Sequence, residues 1–403
     1  MKKKNLLTYS LGALLAGWCI LGLGSCQKNS TEPTATVDKT QESTPGGQAT
    51  TPTAKPVDDK IDWTKLESVT PGYGNITSYK QIELSITSEK TGLKIGGFLN
   101  VPNNFDSTKQ YPLVIMSHGI AGFVTIYDQN YVAYMLEKNI LCFTYFFCGG
   151  GSLTTSPDAT TNQATKMMTI SEGSSEDMSI IIEKQDLISI FNEMSKKSFV
   201  NKDKIILMGE SMGGAVTSLA APELQDKIAG EILCYPAMNV YNDAINGYVR
   251  YDHIPEKLYR NGLTLTREKF YKDIQDIDFY QEAAKFQKKV CLLHGTADGT
   301  VDISSSNKLN NMLNDSMYKV VDGGAHGFVA DKLQQAVPHI MSYLKAIDII
   351  DNDTINVTDK SGTFVTNHPQ TEPEQSPTTS SPSKLKTALD ATILFKTTSL
   401  TSS

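Results

Sequence analysis

One serine in this chain stands where a serine can act as a nucleophile. Gly209-Glu210-Ser211-Met212-Gly213-Gly214 follows the apolar run Ile205-Ile206-Leu207-Met208 directly and opens a helix predicted over Ser211 to Ala221. A sharp strand-to-helix turn exposes a serine hydroxyl at its apex, and glycines flank it because side chains would clash there. The pentapeptide Gly-x-Ser-x-Gly alone recurs by chance in roughly one chain in seven of this length. The strand before it and the helix after it make the signal specific.

A serine hydroxyl attacks only when a base removes its proton. Of the six histidines, His253 falls in an irregular stretch, His339 in the last helix and His368 in the C-terminal tail. His118 and His294 each precede a glycine at the end of a buried strand and read as hydrogen-bonded braces for their loops. His326, in Gly323-Gly324-Ala325-His326-Gly327-Phe328, lies after the final strand and before the final helix. In strand–helix hydrolases with this turn, the chain order is nucleophile, acid, histidine, and His326 fits it. The acid must follow the strand Val290 to Leu293, which selects Asp298 in His294-Gly295-Thr296-Ala297-Asp298. Asp302 reads as a helix cap and Asp322 as a turn residue. The tetrahedral oxyanion needs two backbone donors: the N–H of Met212 and one from His118-Gly119-Ile120-Ala121-Gly122, assigned to Ile120.

Those residues need elements to hold them. Tyr79 to Ile86 and Leu93 to Val101 read as a hairpin, and Leu113 to Met116 as a buried strand. A helix over Tyr131 to Glu137, a strand over Ile140 to Phe147 and a helix over Asp177 to Met194 follow. Ile228 to Tyr235, Val290 to Leu293 and Met317 to Val321 are further strands, and Lys332 to Lys345 is a closing helix. Strands alternating with helices imply an α/β fold, a mostly parallel sheet covered on both faces. Residues 238–287 are too long for an ordinary crossover and read as a cap inserted over the active site.

The termini read differently. Lys2, Lys3 and Lys4 precede an apolar stretch from Leu6 to Leu23, and Leu23-Gly24-Ser25-Cys26 resembles a bacterial lipobox. The expectation is a signal peptide over 1–25 and lipidation of Cys26, giving an exported, membrane-anchored protein at the cell envelope; an uncleaved anchor is the alternative. Residues 26–60 and 349–403 are rich in Ser, Thr, Pro and polar side chains, and read as a flexible linker and a disordered tail around a catalytic domain at 61–348.

Composition excludes more than it assigns. Hydrophobic residues make up 39% and charged residues 20% of the 403, with a formal net charge of -7. Without a basic block, nucleic acid is excluded as a partner. No His/Cys/Asp cluster has metal-ligand spacing, Gly149-Gly150-Gly151 lacks the lysine of a phosphate loop, and no cofactor is implied. Glu210 reads as structural. Cys142, Cys234 and Cys291 lie in apolar strands as small hydrophobes; with Cys148, their disulfide state is not legible.

The chain resembles a branch of the α/β-hydrolase superfamily, the bacterial cinnamoyl (feruloyl) esterases, over roughly Tyr79 to Tyr343. The resemblance rests on His118-Gly119-Ile120, Ser175-Glu176-Asp177-Met178-Ser179, the Ser211 hexapeptide, Tyr235-Pro236-Ala237, Asp252-His253-Ile254-Pro255, the His294 to Asp298 run and Gly324-Ala325-His326-Gly327-Phe328. It extends to the fifty-residue insertion. It implies hydrolysis of an ester between a hydroxycinnamic acid and a sugar or alcohol, with Asp243 bonding the phenolic hydroxyl and Tyr271 contacting the aromatic acid. The family usually has His at the position of Glu210 and Gln at that of Met212, and its Gly-His-Gly-x-Ser loop becomes Gly149-Gly150-Gly151-Ser152 here, which bears on specificity. Other readings are an acetyl-xylan or other short-acyl esterase, a peptidase of the same fold, and a surface glycan-binding protein on an inactive hydrolase fold.

Overall fold

The computed structural model describes residues 61–120, 129–149, 155–157, 164–166, 170–244, 251–260, 263–351 and 365–366. The expected signal peptide, Cys26, the expected linker and most of residues 352–403 lie outside these residues.

In chain order the elements begin with β1 (Glu67–Val69), β2 (Tyr79–Thr87), β3 (Lys94–Val101), β4 (Tyr111–Ser117), α1 (Gln129–Leu136) and β5 (Leu141–Tyr145). Two short strands, β6 (Thr155–Pro157) and β7 (Ala164–Lys166), precede α2 (Ile180–Met194), β8 (Val200–Glu210), α3 (Met212–Leu224) and β9 (Gly230–Cys234). The insertion carries α4 (Val240–Ala244), β10 (Lys257–Arg260), β11 (Leu263–Thr266) and α5 (Phe279–Ala283). The chain then forms β12 (Val290–Gly295), α6 (Ser304–Met312), β13 (Ser316–Val321), α7 (Ala330–Ala346) and β14 (Val365–Thr366).

The main sheet runs β1-β2-β3-β5-β4-β8-β9-β12-β13-β14. From β5 to β13 all neighbours are parallel, while β1–β2, β2–β3, β3–β5 and β13–β14 are antiparallel. The parallel strands are apolar runs because both of their faces are covered. Alternate residues divide between two cores. Leu113, Ile115, Ile205, Leu207, Leu233 and Leu292 pack in one, with α2, α3 and the insertion. Val114, Met116, Ile206, Met208, Ile232 and Leu293 pack in the other, with α1 and α7.

Several boundaries differ from the sequence expectation. Helix α2 begins at Ile180 because the Ser179 hydroxyl accepts from the Ile182 N–H at 3.1 Å, a serine N-cap. Strand β8 starts at Val200, earlier than its apolar run, by pairing Val200 with Tyr111. Trp63, ahead of β1, packs against Phe105 and Phe199 at ring centroid distances of 5.0 and 5.4 Å. Val365 and Thr366, in the tail, pair with Tyr318 and Met317 at the sheet edge. Cys142, Cys148, Cys234 and Cys291 are buried free thiols.

The insertion folds as a β10–β11 hairpin with short helical segments, and its Leu263, Leu265, Phe270, Ile274 and Phe286 join the same core as α2 and α3. It is tied to the loop before α2: the Thr264 N–H donates to Ser175 Oγ at 3.1 Å and Thr266 Oγ1 to the Glu176 carbonyl at 2.7 Å.

Candidate active site

Ser211 stands between β8 and α3 with φ 54° and ψ −121°. A side chain rarely adopts that left-handed backbone, so the turn is held by its surroundings. The Ser211 N–H donates to the Cys234 carbonyl at 3.0 Å, and its own carbonyl accepts from the Ala237 N–H at 2.9 Å. Two glycines make the turn possible. A Cβ on Gly209 would lie 2.3 Å from the Gly213 carbonyl oxygen, and one on Gly213 would lie 2.2 Å from that of Ser117. Although Ser211 occupies the cap position of α3, its side chain caps nothing in the helix; the hydroxyl is left for chemistry.

The hydroxyl meets His326. Ser211 Oγ lies 3.0 Å from His326 Nε2, and His326 Nδ1 lies 2.8 Å from Asp298 Oδ2. A carboxylate only accepts, so Nδ1 carries the ring hydrogen and the Nε2 lone pair faces the serine proton. Ser211 leaves the end of β8, Asp298 follows β12 and His326 follows β13. The sheet order therefore sets the three at the carboxyl edge of β8, β12 and β13, with only β9 intervening, where ligand sites form in open parallel sheets.

Asp298 is fixed from four directions. Its Oδ1 accepts from the Thr300 and Val301 N–H groups at 2.8 and 2.9 Å. Its Oδ2 accepts from His326 and lies 3.4 Å from His294 Nε2. Burial pushes this carboxyl up, but the hydrogen bonds from His294, His326, Val301 and Thr300 outweigh it and hold Asp298 well below the usual carboxylate range. His294 is fully buried; its Nε2 donates to the Val301 carbonyl at 2.9 Å, so its Nδ1 accepts from Ser306 Oγ at 2.7 Å. It braces the acid loop, as the sequence predicts, and in addition reaches the acid itself.

His118 braces a different loop. Its Nδ1 donates to the Gly119 carbonyl at 2.7 Å and its Nε2 accepts from the Phe147 N–H at 3.2 Å. Burial pushes this imidazole down to about 4 despite the Gly119 carbonyl, so it stays neutral at physiological pH. The brace seats Gly119 beside the nucleophile, where its Cβ would approach Ser211 Cβ to 3.1 Å. Ile120 follows on this loop and Met212 opens α3. Neither N–H has an acceptor among the described residues, which suits donors to an oxyanion.

The rival acids fall away. Asp302 Oδ1 accepts from the Ser304 N–H at 2.8 Å at the start of α6, and Asp322 accepts from Thr296 Oγ1 at 3.2 Å in an exposed turn. Glu210 is buried at 3% exposure, and its carboxylate accepts the hydroxyl of Tyr235. The Tyr235 ring packs on His326 at 4.9 Å between centroids. Sequence reading misses this contact, although a tyrosine directly after β9 and an acid beside the nucleophile are both visible. Tyr271 is fully buried, with its ring 5.3 Å from Phe270. Asp243 belongs to α4, and its side chain lies outside the described residues. Among the described residues no group of three or more His, Cys, Asp or Glu could hold a metal ion.

Comparisons with known proteins agree with this fold. Residues 182–346 match the prolyl oligopeptidase family, and no curated protein matches the chain. Among solved structures, the chain is similar to Est1E from Butyrivibrio proteoclasticus with ferulic acid bound, at 22% identity and a TM-score of 0.55, covering 65% of this chain and 99% of that one. A hypothetical protein from Pseudomonas aeruginosa is similar at 11% identity and a TM-score of 0.51, covering 68% and 97%. A puromycin hydrolase is similar at 13% identity and a TM-score of 0.50, covering 68% of this chain but 40% of that one.

Proposed function

We propose that this serine hydrolase of the α/β-hydrolase fold cleaves carboxylic esters, and that its acyl groups are hydroxycinnamic acids of the ferulic type carried on plant polysaccharide fragments. The observation that carries the hydrolase chemistry is the continuous relay from Ser211 through His326 to Asp298, at 3.0 and 2.8 Å. The ferulate reading is supported by likeness to Est1E in its ferulic acid complex, which this chain spans at 99% of that chain's length.

The reaction follows from the geometry. His326 Nε2 takes the Ser211 proton as Oγ attacks the ester carbonyl, and the oxyanion forms against the N–H groups of Met212 and Ile120. Asp298 holds the Nδ1–H tautomer and stabilises the imidazolium. His326 then protonates the leaving alcohol, and water, activated by the same imidazole, releases the acid from the acyl-enzyme. In the ester reading Asp243 bonds the phenolic hydroxyl, whereas Tyr271, fully buried among core side chains, has no surface to offer the aromatic acid. Lipidation at Cys26 holds the enzyme at the cell envelope, and loss of acyl labelling in Cys26→Ala is the outcome that supports this; retained labelling overturns it.

The test compares kcat/KM on methyl ferulate, a short-chain acetate ester and a peptide amide. Preference for the ferulate, weakened by Asp243→Ala and reduced about a millionfold in kcat by Ser211→Ala, is expected. Preference for acetate discards the cinnamoyl assignment and keeps the triad. The match to the prolyl oligopeptidase family favours one second reading, a peptidase, and preference for the amide would establish it.

A further inference from the structure

The catalytic base rests against an aromatic ring whose far end is bound to a buried acid. Tyr235 follows β9 with φ 39°, a left-handed backbone that is unfavourable for tyrosine. Its N–H donates to the Leu293 carbonyl at 2.7 Å, so β12 holds it there. From this position its ring meets His326 at 4.9 Å, inclined 59°, and Phe328 edge-on at 5.1 Å. Its hydroxyl donates to Glu210, the residue preceding the nucleophile. Burial first, and then the Glu210 carboxylate, hold the Tyr235 phenol well above its ordinary range, so the proton stays on the tyrosine oxygen. Tyr131, from α1, is pushed up in the same way, by burial and then by Cys234 and Glu210.

From this arrangement we propose that Glu210 and Tyr235 are positioning residues that stabilise His326 when it becomes an imidazolium. An aromatic face attracts a cation within about 6 Å of its centroid. A tyrosine that donates its hydroxyl to a carboxylate presents a more electron-rich face, because hydrogen-bonded groups polarise one another in a dry interior. The form of the imidazole that accepts the serine proton is the uncharged one, and it gains little from that ring. As Ser211 loses its proton the imidazole becomes positive, and the attraction is felt in the transition state more than in the ground state, the condition for raising kcat. Asp298 supports the ring through Nδ1, and the Tyr235 ring, bound at its far end to Glu210, packs against it at 4.9 Å between centroids. The groups bearing on His326 among the described residues are Asp298, with His294 behind it, Ser211 at Nε2, and Tyr235 with Glu210 and Tyr131 behind it.

This inference rests on the serine-hydrolase reading, so its test includes a measurement that needs no turnover. Glu210→Gln keeps an acceptor for the Tyr235 hydroxyl and removes only the charge; Tyr235→Phe keeps the ring and removes the link. The full-length chain is used, and thermal melts confirm that each variant is folded. The imidazole titration of His326, followed by NMR, is expected to move to lower pH by about one pH unit in Glu210→Gln. The acid limb of kcat/KM on an ester should move with it, while kcat falls about tenfold and KM stays within about twofold. If Tyr235→Phe fails to fold because a buried carboxylate loses a hydrogen bond, Glu210→Gln alone decides. An unchanged His326 titration in folded Glu210→Gln overturns the proposal, since packing alone would then account for the pair. A wild-type chain inactive on every ester would sink the ester reading and leave the NMR comparison able to decide this one.

Discussion

Replacing Glu231 by glutamine should make the protein's stability less sensitive to pH. Glu231 lies on β9, paired in register with Leu207 of β8 and Val290 of β12. It is fully buried, and neither carboxylate oxygen has a hydrogen-bond partner among the described residues. Burial pushes it from the ordinary 4.5 up to about 8. Below pH 4.5 folded and unfolded chains both carry the proton, and the residue costs no ionisation energy. Between 4.5 and about 8 the unfolded chain releases the proton while the folded one keeps it, so stability falls as pH rises. The decline levels off above the folded value. Each pH unit of that window corresponds to about 1.4 kcal/mol, or about 5 kcal/mol across the whole interval as an upper bound. Glutamine cannot ionise, so its stability lacks this decline. Urea unfolding of both proteins at pH 5, 6, 7 and 8, with equal m-values as a check on the unfolded states, gives the difference directly. The advantage of Glu231→Gln over wild type should grow steadily with pH. A difference that stays constant from pH 5 to 8 would refute the claim that this carboxyl is held neutral by the core.

Two further substitutions probe the site. Asp298→Asn should preserve the position of His326 but present an amide to Nδ1, favouring the wrong tautomer, and lower kcat about ten-thousandfold; stopped-flow acylation rates would show it, and a loss under tenfold would contradict the assigned acid. Gly213→Ala places a methyl 2.2 Å from the Ser117 carbonyl oxygen and 2.3 Å from that of His118. It should displace the loop carrying Ile120, cutting kcat more than KM, and unchanged ester turnover would argue against that loop's role.

The readable parts of the fold were those where one physical demand dominated. The parallel strands show as apolar runs because both faces are dry. The triad shows because three residue types must follow three particular strands, and Ser211, Asp298 and His326 do come together. The β10–β11 hairpin went unseen although Leu263-Thr264-Leu265-Thr266 alternates in strand fashion. Leu263 and Leu265 are buried with Thr264 and Thr266 half-buried, but two four-residue strands inside a polar insertion give little periodicity to detect. The contacts of His294 with Asp298 and of Tyr235 with Glu210 depend on distances between loops from different strands. No local pattern in either loop encodes them.

The hydrogen bond from the Ala237 N–H to the Ser211 carbonyl has an engineering consequence. Ala237 is the last residue before the insertion, so the inserted segment departs from a peptide already clamped to the nucleophile. The insertion's other end rejoins the sheet at Val290, one strand away from β9. A foreign insertion could therefore be spliced between 238 and 287 with its two attachment points held by the host sheet, provided Tyr235 to Ala237 are retained. The insertion becomes an exchangeable cassette, and its leading seam, Tyr235 to Ala237, is bonded to the catalytic turn.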